Sequence, residues 1–337
     1  NPAVTELWNG TNWTEQNDLS TGVRQQGSAG TNTNALSFGG ETAASDRVTT
    51  MEEWIVGVPI GIWSTGGSLN TARMGIGGLG IQTSSLAAGG HTATAYVGVT
   101  ELYNGSNWTE VNDMTTGRAY SAAAGTTTAG LVFGGSDPST GKTETWNGTN
   151  WTETTDLNQA RNVLGGSGTS TAAIAAGGYG PNIQDLTELW NGSNWTEVND
   201  LNSARYGLAA ANQSPSTASL VFGGQDPSGI TGKTETWNGT NWTEVADLND
   251  TRKELGGNGI STSALAFGGN APGQTANTED WNGASWVEVN NLNTARDYIS
   301  GSGTTTAGLA FGGEASGRLT ATEEWSSSSN VVKTLTD

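Results

Sequence analysis

The chain has 337 residues with 51 Gly, 14 Trp and 7 Pro, no Cys, one His and a formal net charge of −19. Such acidity excludes a nucleic-acid partner, since phosphate binding needs clustered Lys and Arg. The lack of Cys excludes a disulfide framework, and no apolar run approaches the roughly 18 residues of a membrane-spanning helix.

In chain order, the first element is TELWNGTNWTEQND at 5–18, which returns as TETWNGTNWTETTD at 143–156 and TELWNGSNWTEVND at 187–200. Asn-Gly between short runs of Thr, Leu, Val and Trp predicts a β-hairpin, because both residues tolerate the positive φ of a tight turn. Trp8 and Trp13 then fall opposite one another as a cross-strand aromatic pair. Asn-x-Ser/Thr recurs, as at Asn9, Asn12, Asn147 and Asn150, and reads as a by-product of this turn rather than as a glycan acceptor.

After each hairpin come an Arg, a Gly/Ala-rich stretch such as RAYSAAAG, and an apolar run ending in Gly-Gly such as TAGLVFGG. The Arg positions are Arg24, Arg73, Arg118, Arg161, Arg205, Arg252 and Arg296, spaced 43 to 49 residues apart. A period in this range, with four short strands a to d in each, predicts propeller blades. Strand a holds Gly, Ala and Ser because innermost strands converge on the axis. Strands c and d carry the Trp, whose 14 copies all fall on two repeat positions and are expected to pack between blades rather than bind sugar.

The order Arg, small residues, apolar strand, Gly-Gly, variable loop, Glu-x-aromatic, turn, Trp resembles the kelch motif over nearly the whole chain. Kelch repeats usually carry Tyr in strand c, as at Tyr103; here it is mostly Trp, and the c–d turn is shorter. In this the repeat looks more like the compact kelch-like propellers of marine phage and bacterial surface proteins. The expectation is an all-β, seven-bladed propeller of four-stranded antiparallel blades forming a single domain over 1–337. Its blades would span 24–66, 73–113, 118–157, 161–201, 205–248 and 252–292. The hairpin within 1–20 would close the ring with 296–313, because an open ring exposes strand edges. Residues 321–337 would be an extra strand or tether.

A Glu stands two residues before every strand-c aromatic: Glu6, Glu52, Glu101, Glu144, Glu188, Glu235, Glu279 and Glu323. Strands a and c enter from the same end, so this Glu and the repeat Arg should meet in an ion pair tying blades together. The sharper alternative is a ring of exposed Arg at the channel mouth that binds an acidic group.

Enzymatic chemistry is not expected. One His, His91, supports no Ser-His-Asp or Cys-His constellation, and the Tyr, His and Cys ligands of the copper-radical kelch-fold oxidases have no counterparts. The loops at Asp137 and Asp226 read as turns before they read as Ca²⁺ sites. No cofactor or metal is expected.

Two features break the repeat. The b–c loops (41–50, 91–99, 136–142, 179–186, 225–233, 270–277 and 314–321) vary while the strands do not, as binding loops on a rigid scaffold would. The segment WIVGVPIGIW at 54–63 replaces the polar turn with Ile55, Val56, Val58, Ile60 and Ile62, expected to be covered by a neighbouring chain. The functional expectation is a non-enzymatic extracellular or virion-associated module that contacts a protein neighbour or a host glycan through the b–c loops. A monomeric secreted lectin or carbohydrate-active protein is the alternative.

Overall fold

A computed structural model describes residues 6–8, 13–15, 26–30, 34–38, 41, 42, 44, 51–55, 60–136, 138–328 and 331–335. The chain divides into two compact units, Ile62–Ser326 and the pair of segments Asn1–Gly61 and Ser327–Asp337.

The larger unit is a β-propeller of six four-stranded antiparallel blades. Blade 1 contains Gly77–Ile81, Ser84–Ala88, Thr100–Tyr103 and Trp108–Val111. Blade 2 contains Ala122–Thr126, Ala129–Phe133, Thr143–Trp146 and Trp151–Thr154. Blade 3 contains Gly165–Thr169, Ala172–Tyr179, Ile183–Trp190 and Trp195–Glu197. Blade 4 contains Ala209–Ala210, Leu220–Phe222, Thr234–Trp237 and Trp242–Glu244. Blade 5 contains Gly256–Ile260, Ser263–Phe267, Thr278–Trp281 and Trp286–Val289. Blade 6 takes Ser300–Gly303, Ala307–Phe311 and Thr322–Ser328 from the end of the chain and its outermost strand, Ile60–Thr65, from near the beginning. The innermost strands neighbour one another in this order and the last returns to the first, so the ring is closed.

Two expectations are corrected here. The propeller has six blades rather than seven, and the strand that closes it is Ile60–Thr65, not the hairpin at 5–18. The first repeat looks complete in sequence, but its strands part company. Gly27–Gly30, Asn34–Phe38 and Met51–Ile55 form a separate sheet with the C-terminal strand Val331–Leu335. In that sheet Met51–Ile55 is hydrogen-bonded on both edges, with Asn34 and Val331 both opposite Ile55. Glu6–Trp8 pairs with Trp13–Glu15, Trp8 opposite Trp13, as a two-stranded ribbon. The apolar segment 54–63 is therefore not a hairpin tip, because its two strands belong to different sheets.

Every Trp whose side chain is described is buried. The reason is the wedge between blades: a strand-b Phe packs on the strand-d Trp of the next blade, as in Phe133–Trp195 at 4.8 Å and Phe222–Trp286 at 4.8 Å between ring centroids. The indole N–H is satisfied across the same interface. Trp108, Trp151, Trp195, Trp242, Trp286 and Trp63 each donate to the strand-c Thr hydroxyl of the preceding blade (Thr322, Thr100, Thr143, Thr187, Thr234 and Thr278) at 2.9–3.1 Å. Near the axis there is no such room. A Cβ on Gly257 would stand 2.5 Å from the carbonyl oxygen of Ala210 in the adjacent blade.

Candidate functional site: the channel mouth

The crossovers that carry the repeat Arg reach one end of the channel, where the b–c loops also emerge. Arg73–Glu101, Arg118–Glu144, Arg161–Glu188, Arg205–Glu235, Arg252–Glu279 and Arg296–Glu323 form ion pairs at 2.5–3.1 Å, the guanidinium groups no more than 1% exposed. The second oxygen of each Glu accepts a backbone N–H from the crossover, from Asn70, Thr115, Asn158, Asn202, Asn249 and Asn293, at 2.7–2.8 Å. Each carboxylate thus clamps the segment arriving from the preceding blade onto its own blade. Burial lowers the Arg73 and Arg252 pKa values from their usual height, and the paired carboxylates oppose that. With the cations enclosed, these pairs hold crossovers and present no charged ring to a ligand. Arg24 lies outside the described residues; Glu6 and Glu52 lie on strands of the smaller unit.

Two residues after each Arg the backbone turns left-handed: Gly75 (φ 63°), Tyr120 (59°), Val163 (48°), Gly207 (67°), Glu254 (58°) and Tyr298 (47°). Their N–H groups link them into a closed circle. Tyr120 donates to Gly75, Val163 to Tyr120, Gly207 to Val163, Glu254 to Gly207, Tyr298 to Glu254 and Gly75 to Tyr298, at 2.6–3.0 Å. Gly adopts this conformation freely, whereas a side-chain-bearing residue is strained there by about 1–2 kcal/mol. Four of the six positions accept that strain and turn a side chain into the mouth.

The cavity inside this circle, about 100 Å³, is lined by those six residues and by the next residue of each blade: Ile76, Ser121, Leu164, Leu208, Leu255 and Ile299. The floor is apolar except for Ser121, whose hydroxyl is buried without a hydrogen-bond partner. Tyr120 and Tyr298 meet edge to face at 5.1 Å above Gly75. The Tyr298 hydroxyl lies beside the Glu254 carboxyl, and Lys253 Nζ lies 3.3 Å from Glu254 Oε1. Burial raises the Glu254 pKa against these two partners, raises that of Tyr298, and lifts Tyr120 to about 12.

Around the rim, Tyr96 packs on Tyr120 at 6.5 Å and on His91 at 4.6 Å. Arg318 reaches His91 Nδ1 at 3.3 Å and pairs with Glu314. Tyr206 lies under Lys253 and packs on Tyr179. Tyr96, Tyr120, Tyr179, Tyr206 and Tyr298 all gather at this end, while Tyr103 alone fills a Trp slot. The other end is crossed by the strand a–b connection of blade 4. There Asn212 donates to the Gly301 carbonyl of blade 6 at 2.7 Å, and Gln213 to the Gly80 carbonyl of blade 1 at 2.9 Å. The channel is open at one mouth and braced across at the other.

Of the apolar segment, Ile62 is 56% exposed. Ile55 and Ile60 lie in strands, and Val56 and Val58 fall outside the described residues. Asp137 is also outside them. Asp226 Oδ1 accepts the N–H groups of Ser228 and Gly229, and Oδ2 meets Lys233, so its oxygens close a turn. Among the described residues no group of three or more His, Asp or Glu has the arrangement of a metal site.

Tyr120, Ser121, Glu254 and Tyr298 escape sequence reasoning because a repeat alignment looks for what recurs, and these positions are the ones that vary. The available signal is the non-Trp aromatic set: five of six Tyr stand outside the two aromatic repeat slots.

No protein-family model matches the chain and no curated protein matches it. What stands is the architecture: a β-propeller of six four-stranded antiparallel blades, suited to a binding or structural role.

Proposed function

We propose that the protein is a non-enzymatic recognition module that binds its target at the channel mouth and the surrounding b–c loops. The observation that carries this is the contrast between the two aromatic sets. Trp is buried in repeated structural positions, whereas partly exposed Tyr concentrates at one end of the ring on residues that differ from blade to blade. Tyr offers a large amphipathic surface at little conformational cost, which suits recognition. The chemistry at the mouth is that of binding: aromatic faces, one buried carboxyl, an apolar floor, and a lone His engaged by Arg318.

The target is a glycan or a protein neighbour, and the setting is extracellular, on a virion or tail. The resemblance to the kelch-like propellers of phage and bacterial surface proteins supports that setting, and the net charge of −19 suits a screened, salty medium. Ile62, exposed on the closing strand, offers a protein neighbour an apolar contact.

The test is binding of the purified chain to a glycan panel and to surface-displayed proteins, with native mass measured in parallel. Binding weakened at least tenfold by changes at Tyr96, Tyr206 or Tyr298, with no turnover of the bound ligand, is the expected result. Binding indifferent to all three, or conversion of the glycan, overturns the reading.

A further inference from the structure

The recognition reading leaves the ligand's chemistry open, and the pit inside the mouth narrows it. Resting on that reading, we propose that the pit takes the acetamido group of a neutral N-acetylated amino sugar.

Three observations converge. The first is strain: Gly75 and Gly207 show that the ring needs only glycine at this position, yet Tyr120, Val163, Glu254 and Tyr298 hold left-handed φ and present side chains to the pit. Strained residues that a fold does not require mark a functional demand. The second is the floor. Five blades place Ile or Leu there and blade 2 places Ser121, whose buried hydroxyl has no partner in the protein. An apolar floor interrupted by one unpaired hydroxyl matches a methyl group attached to a carbonyl. The third is the wall: the Glu254 carboxyl accepts an N–H, and Tyr120 and Tyr298, edge to face at 5.1 Å, offer apolar surface to a sugar ring.

A cavity of about 100 Å³ holds a substituent rather than a whole pyranose. The acetamido group would therefore enter while the sugar ring rests on the tyrosines and its hydroxyls meet the rim. An ammonium group fits less well. Lys253 already balances the charge of Glu254 and would repel a second cation, and a cation gains nothing from a floor of Ile76, Leu164, Leu208, Leu255 and Ile299.

The experiment titrates the full chain with N-acetylglucosamine, N-acetylgalactosamine, glucose and glucosamine, read by calorimetry and saturation-transfer NMR. Variants are Tyr120→Gly, Tyr298→Gly and Ser121→Ala. The expected result is binding of at least one acetamido sugar at least tenfold tighter than glucose and glucosamine, with the acetyl methyl receiving the strongest transfer. Each variant should weaken that binding about tenfold or more. The two glycine variants should melt no lower than the wild type, since they relieve strain; a purely structural role would lower the melting temperature instead. Ser121→Ala is nearly isosteric and keeps the test valid if a glycine variant misfolds. Tighter binding of glucosamine, or a methyl that receives no transfer, overturns the acetamido assignment. Failure of the acetamido sugars while another glycan or a protein binds through Tyr96 or Tyr206 overturns the assignment and leaves the recognition reading standing. Failure of every probe overturns both.

Discussion

The indole N–H of Trp63 donates to the Thr278 hydroxyl at 3.1 Å across 215 positions of sequence. This bond is the sixth member of a circle of Trp–Thr contacts, and Trp63 supplies it from the strand that closes blade 6. Its ring also packs on Phe267 at 5.1 Å and on Trp325 at 5.3 Å. Replacing Trp63 with Ala should cost about 3–5 kcal/mol, the range for emptying a large aromatic site. Trp63→Phe, which keeps most of the packing, should lose much less. Urea unfolding of both variants checks this, and equal losses would mean that the indole hydrogen bond, not ring packing, holds the strand.

The closing strand also sets the minimum chain. Residues 60–328 contain all four strands of every blade, so a chain cut to that span should unfold in a single cooperative transition. A chain cut to 68–328 lacks the outer strand of blade 6 and leaves Thr322–Ser328 as an open edge, so it should melt lower and associate. Calorimetry and light scattering distinguish the two.

Glu235 pairs with Arg205 at 2.6 Å and accepts the Asn202 N–H at 2.8 Å, both within a buried crossover. Glu235→Gln leaves a buried guanidinium without its counter-charge and should destabilise by about 3–5 kcal/mol. Arg205→Met should also destabilise. In the double variant the loss should fall short of the sum, because the unpaired charge is gone while the crossover clamp stays broken. Additive losses in a double-mutant cycle would show the pair to be uncoupled.

Asp280 is 8% exposed, one carboxyl oxygen lacks a partner, and burial raises its pKa from 3.8 to about 7. The folded state therefore favours the protonated acid. The contribution is most favourable below the unfolded value, declines as pH rises, and is lost once pH passes the folded value near 7. Asp280→Asn removes this titration. Its stability relative to the wild type should rise between about pH 4 and 7 by at most ~1.4 kcal/mol per pH unit, then level off. Denaturation curves of both proteins across that range check the sign; a variant whose stability relative to the wild type falls as pH rises contradicts it.

Gly75 is left-handed, and a Cβ there would stand 2.6 Å from Tyr120 Cδ1. Gly75→Ala combines backbone strain with a clash against a mouth tyrosine. The expected outcome is a loss of about 1–2 kcal/mol together with displacement of the Tyr120 ring, visible in its NMR shifts. Gly317, whose added Cβ would meet nothing within 4 Å, is the control.

What is local and periodic in this fold was legible from the residues alone. Asn147 Oδ1 accepts from the Thr149 and Asn150 N–H groups at 2.9 and 2.8 Å, a turn written in the NGTN stretch, and Trp146 then falls opposite Trp151 as spacing demands. The blade pattern was legible for the same reason: period, Gly-Gly and Trp each report a contact made within one repeat or with the next. The blade count was not legible, because the first repeat has the same local pattern as the others. Long-range pairing alone sends Met51–Ile55 to Val331–Leu335 while Ile60–Thr65, a few residues on, joins blade 6. The mouth was hidden for a related reason. Tyr120, Glu254 and Tyr298 are far apart in sequence and share no motif, and closure of the ring brings them together because six blades place the residue after next from each Arg around one axis.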